Sequence, residues 1–83
     1  MTPAKSVKRE HAELIGRRLA ARRAHLEVER AALAGQVGVS VQYIGMIEQG
    51  DRLPSIPVLC RIAHNLGSTV DALACPDATP DAA

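Results

Sequence analysis

Gln42 and Met46 stand four residues apart in the stretch VQYIGMIEQ. Turning about 100° per residue from Ile44 directs both away from the side that carries Ile44 and Ile47. Gly45 and Gln49 flank them on the outward face. A primary amide donates and accepts hydrogen bonds at once, so Gln42 is equipped to recognise a polar edge that offers both partners. A solvated helix face in a small protein usually carries several Lys or Glu. This one carries no charge, which marks it as a surface for reading something; the bland alternative is an exposed face that happens to be uncharged.

A second constellation points inward. Arg23 falls four residues after Leu19 on an apolar stripe, where a lone buried charge is costly. Glu48 sits beside Ile44 and Ile47 on the inner side of its own segment. The two outliers are expected to meet inside, the alternative being that each side chain reaches water independently. Nothing else in the chain assembles into reactive chemistry. His11, His25 and His64 have no Ser or Cys placed to act as a nucleophile. Cys60 and Cys75 form no CxxC pair and lie near no His at metal-ligand spacing, so free thiols are expected. The glycines match neither phosphate-binding pattern. The expectation is a protein that is not an enzyme and that uses no cofactor and no metal.

Length and composition narrow the elements that position these residues. The 83 residues allow one small domain. Hydrophobic residues make up 47% of the chain, yet 14 residues are Ala and neither Phe nor Trp occurs. A core so thin suits short, closely spaced helices. Net charge is only +1, but residues 1–30 carry eight Lys or Arg against four acids and residues 51–83 carry two against four. A basic half beside an acidic half gives an oriented field. No apolar run approaches the roughly 20 residues that span a membrane, and the first residues lack a signal-peptide core, so a cytoplasmic protein without membrane contact is expected.

Periodicity then places the helices. A first helix is expected over residues 8–26, with Ile15, Leu19 and Leu26 on its apolar side. Leu33, Ala34 and Val37 define the next, which Gly38 closes in a left-handed conformation. Ser40 caps a third helix. Ser55 caps a fourth over residues 56–66, which tolerates Pro57 in its first turn, buries Leu59, Ile62, Ala63 and Leu66, and ends at Gly67. Ser68 with Asp71 three later forms a variant capping box for a short fifth helix carrying Val70 and Leu73. Residues 1–7 are expected to be a disordered N-terminus, residues 8–75 the domain, and residues 76–83 a disordered acidic tail.

The stretch RAALAGQVGVSVQYIGMIEQ resembles the helix-turn-helix of lambda-repressor-like regulators, the xenobiotic-response-element family. Numbered from Arg30, that motif asks for aliphatic residues at its fourth, eighth, fifteenth and eighteenth positions, Ala at the fifth and Gly at the ninth. Leu33, Val37, Ile44, Ile47, Ala34 and Gly38 supply all six. Similarity continues through IGRRLAARR before the motif and through EQGDRLPS and LCRIAHNLGSTVDAL after it. The resemblance implies an all-α fold of five helices with the helix-turn-helix at helices two and three, and an internal Arg23–Glu48 pair. The sequence departs from the family between residues 26 and 30. Glu27 stands where a Gly usually does and Glu29 where a Ser or Thr usually caps, so periodicity alone permits one continuous helix over residues 17–34.

Carried over position by position, the family's base-facing sites fall on Val41, Gln42, Gly45 and Met46. Gln42 suits adenine, while Val41 and Met46 suit thymine methyl groups. The phosphate-holding sites fall on Arg30, Tyr43, Gln49 and Arg52. Arg30 replaces the family's usual Gln and either holds a phosphate or folds back onto Glu27 or Glu29. Asp51 stands where a basic residue is commoner. Val70 and Leu73 are the expected dimer contact, unless they only cap the core. The expected function is a transcriptional regulator, a repressor that binds palindromic double-stranded operator DNA as a homodimer. The rival is an antitoxin or other protein-interaction module with a protein partner and weak or no DNA binding.

Overall fold

A computed structural model describes residues 7–78, and every regular element among them is a helix: α1 (Val7–His25), α2 (Arg30–Val37), α3 (Val41–Glu48), α4 (Ile56–Asn65) and α5 (Val70–Ala74). The expectations for residues 1–6 and 79–83 lie outside the described residues. Val7 already belongs to α1, and residues 76–78, expected in the tail, form a turn whose carbonyls are held by Arg18. α1 packs against α3 and α5, α2 against α3 and α4, and α4 against α5. One core joins them: Ile15 and Leu19 from α1, the α2 stripe, Ile44 and Ile47, the α4 stripe, and Leu73 with Ala74.

Four of the five helices end by the same hydrogen-bond device, in which a left-handed residue lets two amides turn back onto the last turn. After α2, Gly38 (φ 89°) places its own N–H and that of Val39 on Ala34 O. After α3, Gly50 (φ 81°) allows Asp51 N–H to reach Met46 O at 2.9 Å, and after α4, Gly67 (φ 62°) allows Ser68 N–H to reach Ala63 O at 2.8 Å. The fourth case is α1. There the left-handed residue is Glu27 (φ 56°), with Val28 N–H on Arg23 O and Glu27 N–H on Ala24 O, both at 3.0 Å. The break that periodicity left open is therefore present, made by a residue whose Cβ opposes it.

That geometry carries a first prediction. A left-handed non-glycine residue costs about 1 to 2 kcal/mol, part of which glycine gives back through its freer unfolded chain. Glu27→Gly is expected to stabilise the domain by about 0.5 to 1 kcal/mol, read from the midpoint of denaturant unfolding. A lower midpoint would mean that the Glu27 side chain contributes more than its backbone costs.

Two local expectations are corrected. Leu26 is 39% exposed, because α1 stops at His25 and the left-handed turn carries Leu26 off the stripe; Ala12, three residues before Ile15, is buried in the same stripe. The cap of α5 is Thr69, whose Oγ1 accepts from Ala72 N–H at 3.0 Å, and not Ser68. Ser68 still belongs to the turn that closes α4, so the next helix starts one residue later.

Candidate nucleic-acid interface

The site is built on a turn of three residues between α2 and α3. Gly38 reverses the chain, half-buried Val39 packs on the core, and Ser40 opens α3 with its Oγ accepting from Tyr43 N–H at 3.0 Å. Arg61 on α4 donates from Nη1 to Val37 O at 3.2 Å, which satisfies a carbonyl at the end of α2 and fixes the turn against the body of the fold.

Ile44 and Ile47 then hold α3 by one side, both at 0% exposure. The other side faces out: Val41 is 46% exposed and Gln42 is exposed, while Met46 and Gly45 are half-buried. A Cβ added at Gly45 would meet no atom within 4 Å, so nothing inside this chain requires a glycine there. The four base-facing candidates therefore lie together on one outward helix face without a charged residue.

Of the phosphate candidates, Gln49 and Arg52 are exposed, as is Asp51 between the glycine turn and Arg52. Tyr43 packs half-buried against the core. Arg30 is half-exposed and reaches Glu48, its Nε donating to Oε1 at 2.8 Å. The expected alternative of a pair with Glu27 or Glu29 is thus corrected, because α2 points its first residue toward the end of α3 and away from the preceding turn.

Beneath this face lies the ionic constellation. Arg23 Nε donates to Glu48 Oε2 at 2.6 Å and Nη2 donates to Oε1 at 3.2 Å, a forked pair that also sends Nη1 to Val28 O at 2.8 Å. The Glu48 side chain is 3% exposed and that of Arg23 18%. The pair clasps α1 to α3, and the extra bond ties the α1–α2 turn to the same guanidinium.

Leu73 is 2% exposed and part of the core, and Val70 packs half-buried against it. Leu73 thus follows the core-capping alternative: α5 spends it closing its own domain against α1 and α4. Two arginines of the basic first 30 residues also serve the fold. Arg18 donates to the carbonyls of Ala72, Cys75, Pro76 and Ala78, and Arg22 to those of Leu66 and Gly67. Cations at helix carboxyl ends oppose the partial negative charge there. Sequence reasoning missed these roles, although Arg18 and Arg22 lie four apart beside the Ile15–Leu19 stripe, a spacing that signals one shared helix flank.

Gly16 was missed as well. It is buried where α1 crosses the end of α3, and a Cβ there would lie 2.4 Å from Ile47 O and 2.6 Å from Glu48 O. Its signal was a glycine on the helical stripe between Ala12 and Leu19.

Five helices in this order, with a three-residue turn between the second and third and an outward face on the third, define an all-α helix-turn-helix domain of lambda-repressor-like architecture. Residues 14–74 match the model of the family described as helix-turn-helix domain. The chain is 38% identical over 66 residues to the uncharacterized HTH-type transcriptional regulator YazB of Bacillus subtilis, covering 80% of this chain and 96% of that protein. It superposes on the clp gene regulator ClgR of Corynebacterium glutamicum with a TM-score of 0.74 at 28% identity, covering 84% of this chain and 71% of that one. It also superposes on hydroxypropylphosphonic acid epoxidase of S. wedmorenis with a TM-score of 0.73 at 30% identity, covering 82% of this chain but only 36% of the enzyme. The chain belongs to the helix-turn-helix family of transcriptional regulators. With the epoxidase it shares the fold of one part. No helix among the described residues is long and apolar enough to cross a membrane.

Proposed function

We propose that this protein is a repressor that binds a palindromic operator as a homodimer, with α3 in the major groove. The observation that carries this reading is the two-sidedness of α3: Ile44 and Ile47 are wholly buried, while Val41 and Gln42 are exposed beside an unobstructed Gly45 and no charge interrupts the face. Val41, Gln42, Gly45 and Met46 face base edges, and Arg30, Tyr43, Gln49 and Arg52 approach phosphates on either side. Two copies on a two-fold axis read half-sites about 34 Å apart. Selection from random duplexes tests this directly, with an inverted repeat at that spacing as the expected product.

Gln42 supplies the specific test. Gln42→Ala is expected to cost about 1 to 3 kcal/mol at one base pair of each half-site and to leave nonspecific binding nearly intact. Stability is unchanged, since the side chain is exposed. The measurement is a titration against the selected operator, its single-base variants and unrelated DNA. Equal losses on every duplex would make Gln42 a positioning contact.

The second reading, a protein-interaction module such as an antitoxin, is favoured by exposed Asp51 and by the arginines of α1 that are turned onto carbonyls. Under it, the same selection enriches no sequence.

A further inference from the structure

One carboxylate serves two guanidinium groups in this fold. Arg23 takes both oxygens of Glu48, and Arg30 shares Oε1 through Nε. Exposure rises along the row from 3% at Glu48 to 18% at Arg23 and 47% at Arg30. Two cations against one anion leave a surplus positive charge, and the outer member of the row is the one that meets solvent. A guanidinium carries five N–H donors in a rigid plane. Among the described residues Arg30 spends only its Nε–H, so its Nη groups remain available beyond the pair.

We propose that Glu48 is a positioning residue for DNA binding: it holds Arg30 by Nε and thereby presents the Nη edge to a backbone phosphate. This rests on the reading of Arg30 as a phosphate contact. An ordinary surface pair has an acceptor that rotates into water. Here the acceptor is buried and already clamped by Arg23, so the one Nε–H bond anchors the Arg30 guanidinium at a fixed point and narrows the directions its Nη edge can take. Glu48 is also the last residue of α3. The phosphate contact at the front of α2 is thereby registered to the helix that reads bases, and a misplaced α3 would misplace both.

The test uses the full chain and a mixed-sequence duplex about two helical turns long, titrated from about 50 to about 200 mM salt. Arg30→Ala is expected to weaken binding roughly tenfold and to lower the salt slope by about 0.9 for each subunit bound. Arg30→Lys keeps the charge but cannot bond carboxylate and phosphate through two edges of one plane, so it recovers less than half of that loss on a logarithmic scale. In a Glu48→Gln background the loss from Arg30→Ala shrinks to under about threefold, the signature of coupled residues. Full recovery by lysine, or an undiminished tenfold loss in the Glu48→Gln background, overturns the positioning role while leaving the phosphate contact standing. An Arg30→Ala protein with unchanged affinity and slope overturns the phosphate contact itself, and the positioning role with it. Should Glu48→Gln fail to fold, the lysine comparison decides, because Arg30 is half-exposed and outside the core.

Discussion

Glu48→Ala is expected to lower the melting temperature by roughly 10 to 25 °C, the equivalent of about 3 kcal/mol in a domain of this size. The substitution leaves the Arg23 guanidinium between α1 and α3 with Val28 O as its remaining partner. Removing one member of a buried pair costs about 3 to 5 kcal/mol, since the surviving charge stays desolvated. The lower end applies here because Arg23 keeps 18% of its exposure and can relax toward water. A domain of this length has about 4 to 12 kcal/mol in total, so the loss takes from a quarter to three quarters of the stability. A thermal scan by circular dichroism measures it. A melting temperature within a few degrees of the parent would show that the pair contributes no net stability.

Gly16→Ala is expected to destabilise by about 2 to 3 kcal/mol, whereas Gly35→Ala is expected to stabilise by about 0.5 to 1 kcal/mol. Both glycines lie inside helices and gain the same intrinsic helix preference on becoming alanine. They differ in surroundings. Nothing lies within 4 Å of a Cβ at Gly35, while at Gly16 the new atom meets two backbone carbonyls, which cannot swing aside as a side chain would. α1 and α3 must separate, and the forked Arg23–Glu48 pair spans the same crossing. Denaturant midpoints for the two variants isolate packing from propensity. A Gly16→Ala protein as stable as Gly35→Ala would mean that the helices cross with slack.

These two sites also show how unevenly the sequence disclosed the molecule. Arg23 and Glu48 were legible because each is a charge on an otherwise apolar stripe, a conflict that periodicity exposes and that a common solution resolves. Gly16 carried no comparable conflict. A glycine in a helix reads as a small local penalty until the neighbouring backbone is known, and that backbone belongs to residues about 30 positions later in the chain.

By itself the sequence determined the helices with strong stop and start residues: Gly38 and Gly67 act through their own backbone, and Ser40 and Ser55 through hydroxyl oxygens that accept from the amide three residues on, so their effects are local. It also determined the two-sidedness of α3, which follows from residue types and a fixed angular step. Tertiary structure decided the rest. The break after α1 rests on Glu27 in a left-handed conformation that its own preference opposes, held in part by Arg23 donating to Val28 O across the turn. Whether Arg18, Arg22 and Arg30 served solvent, phosphate or the fold depended on which carbonyls and carboxylates other helices brought within reach. Leu73 went to the core for the same reason: an apolar residue takes the first apolar surface it meets, and only the docking of α5 on α1 and α4 set which surface that was.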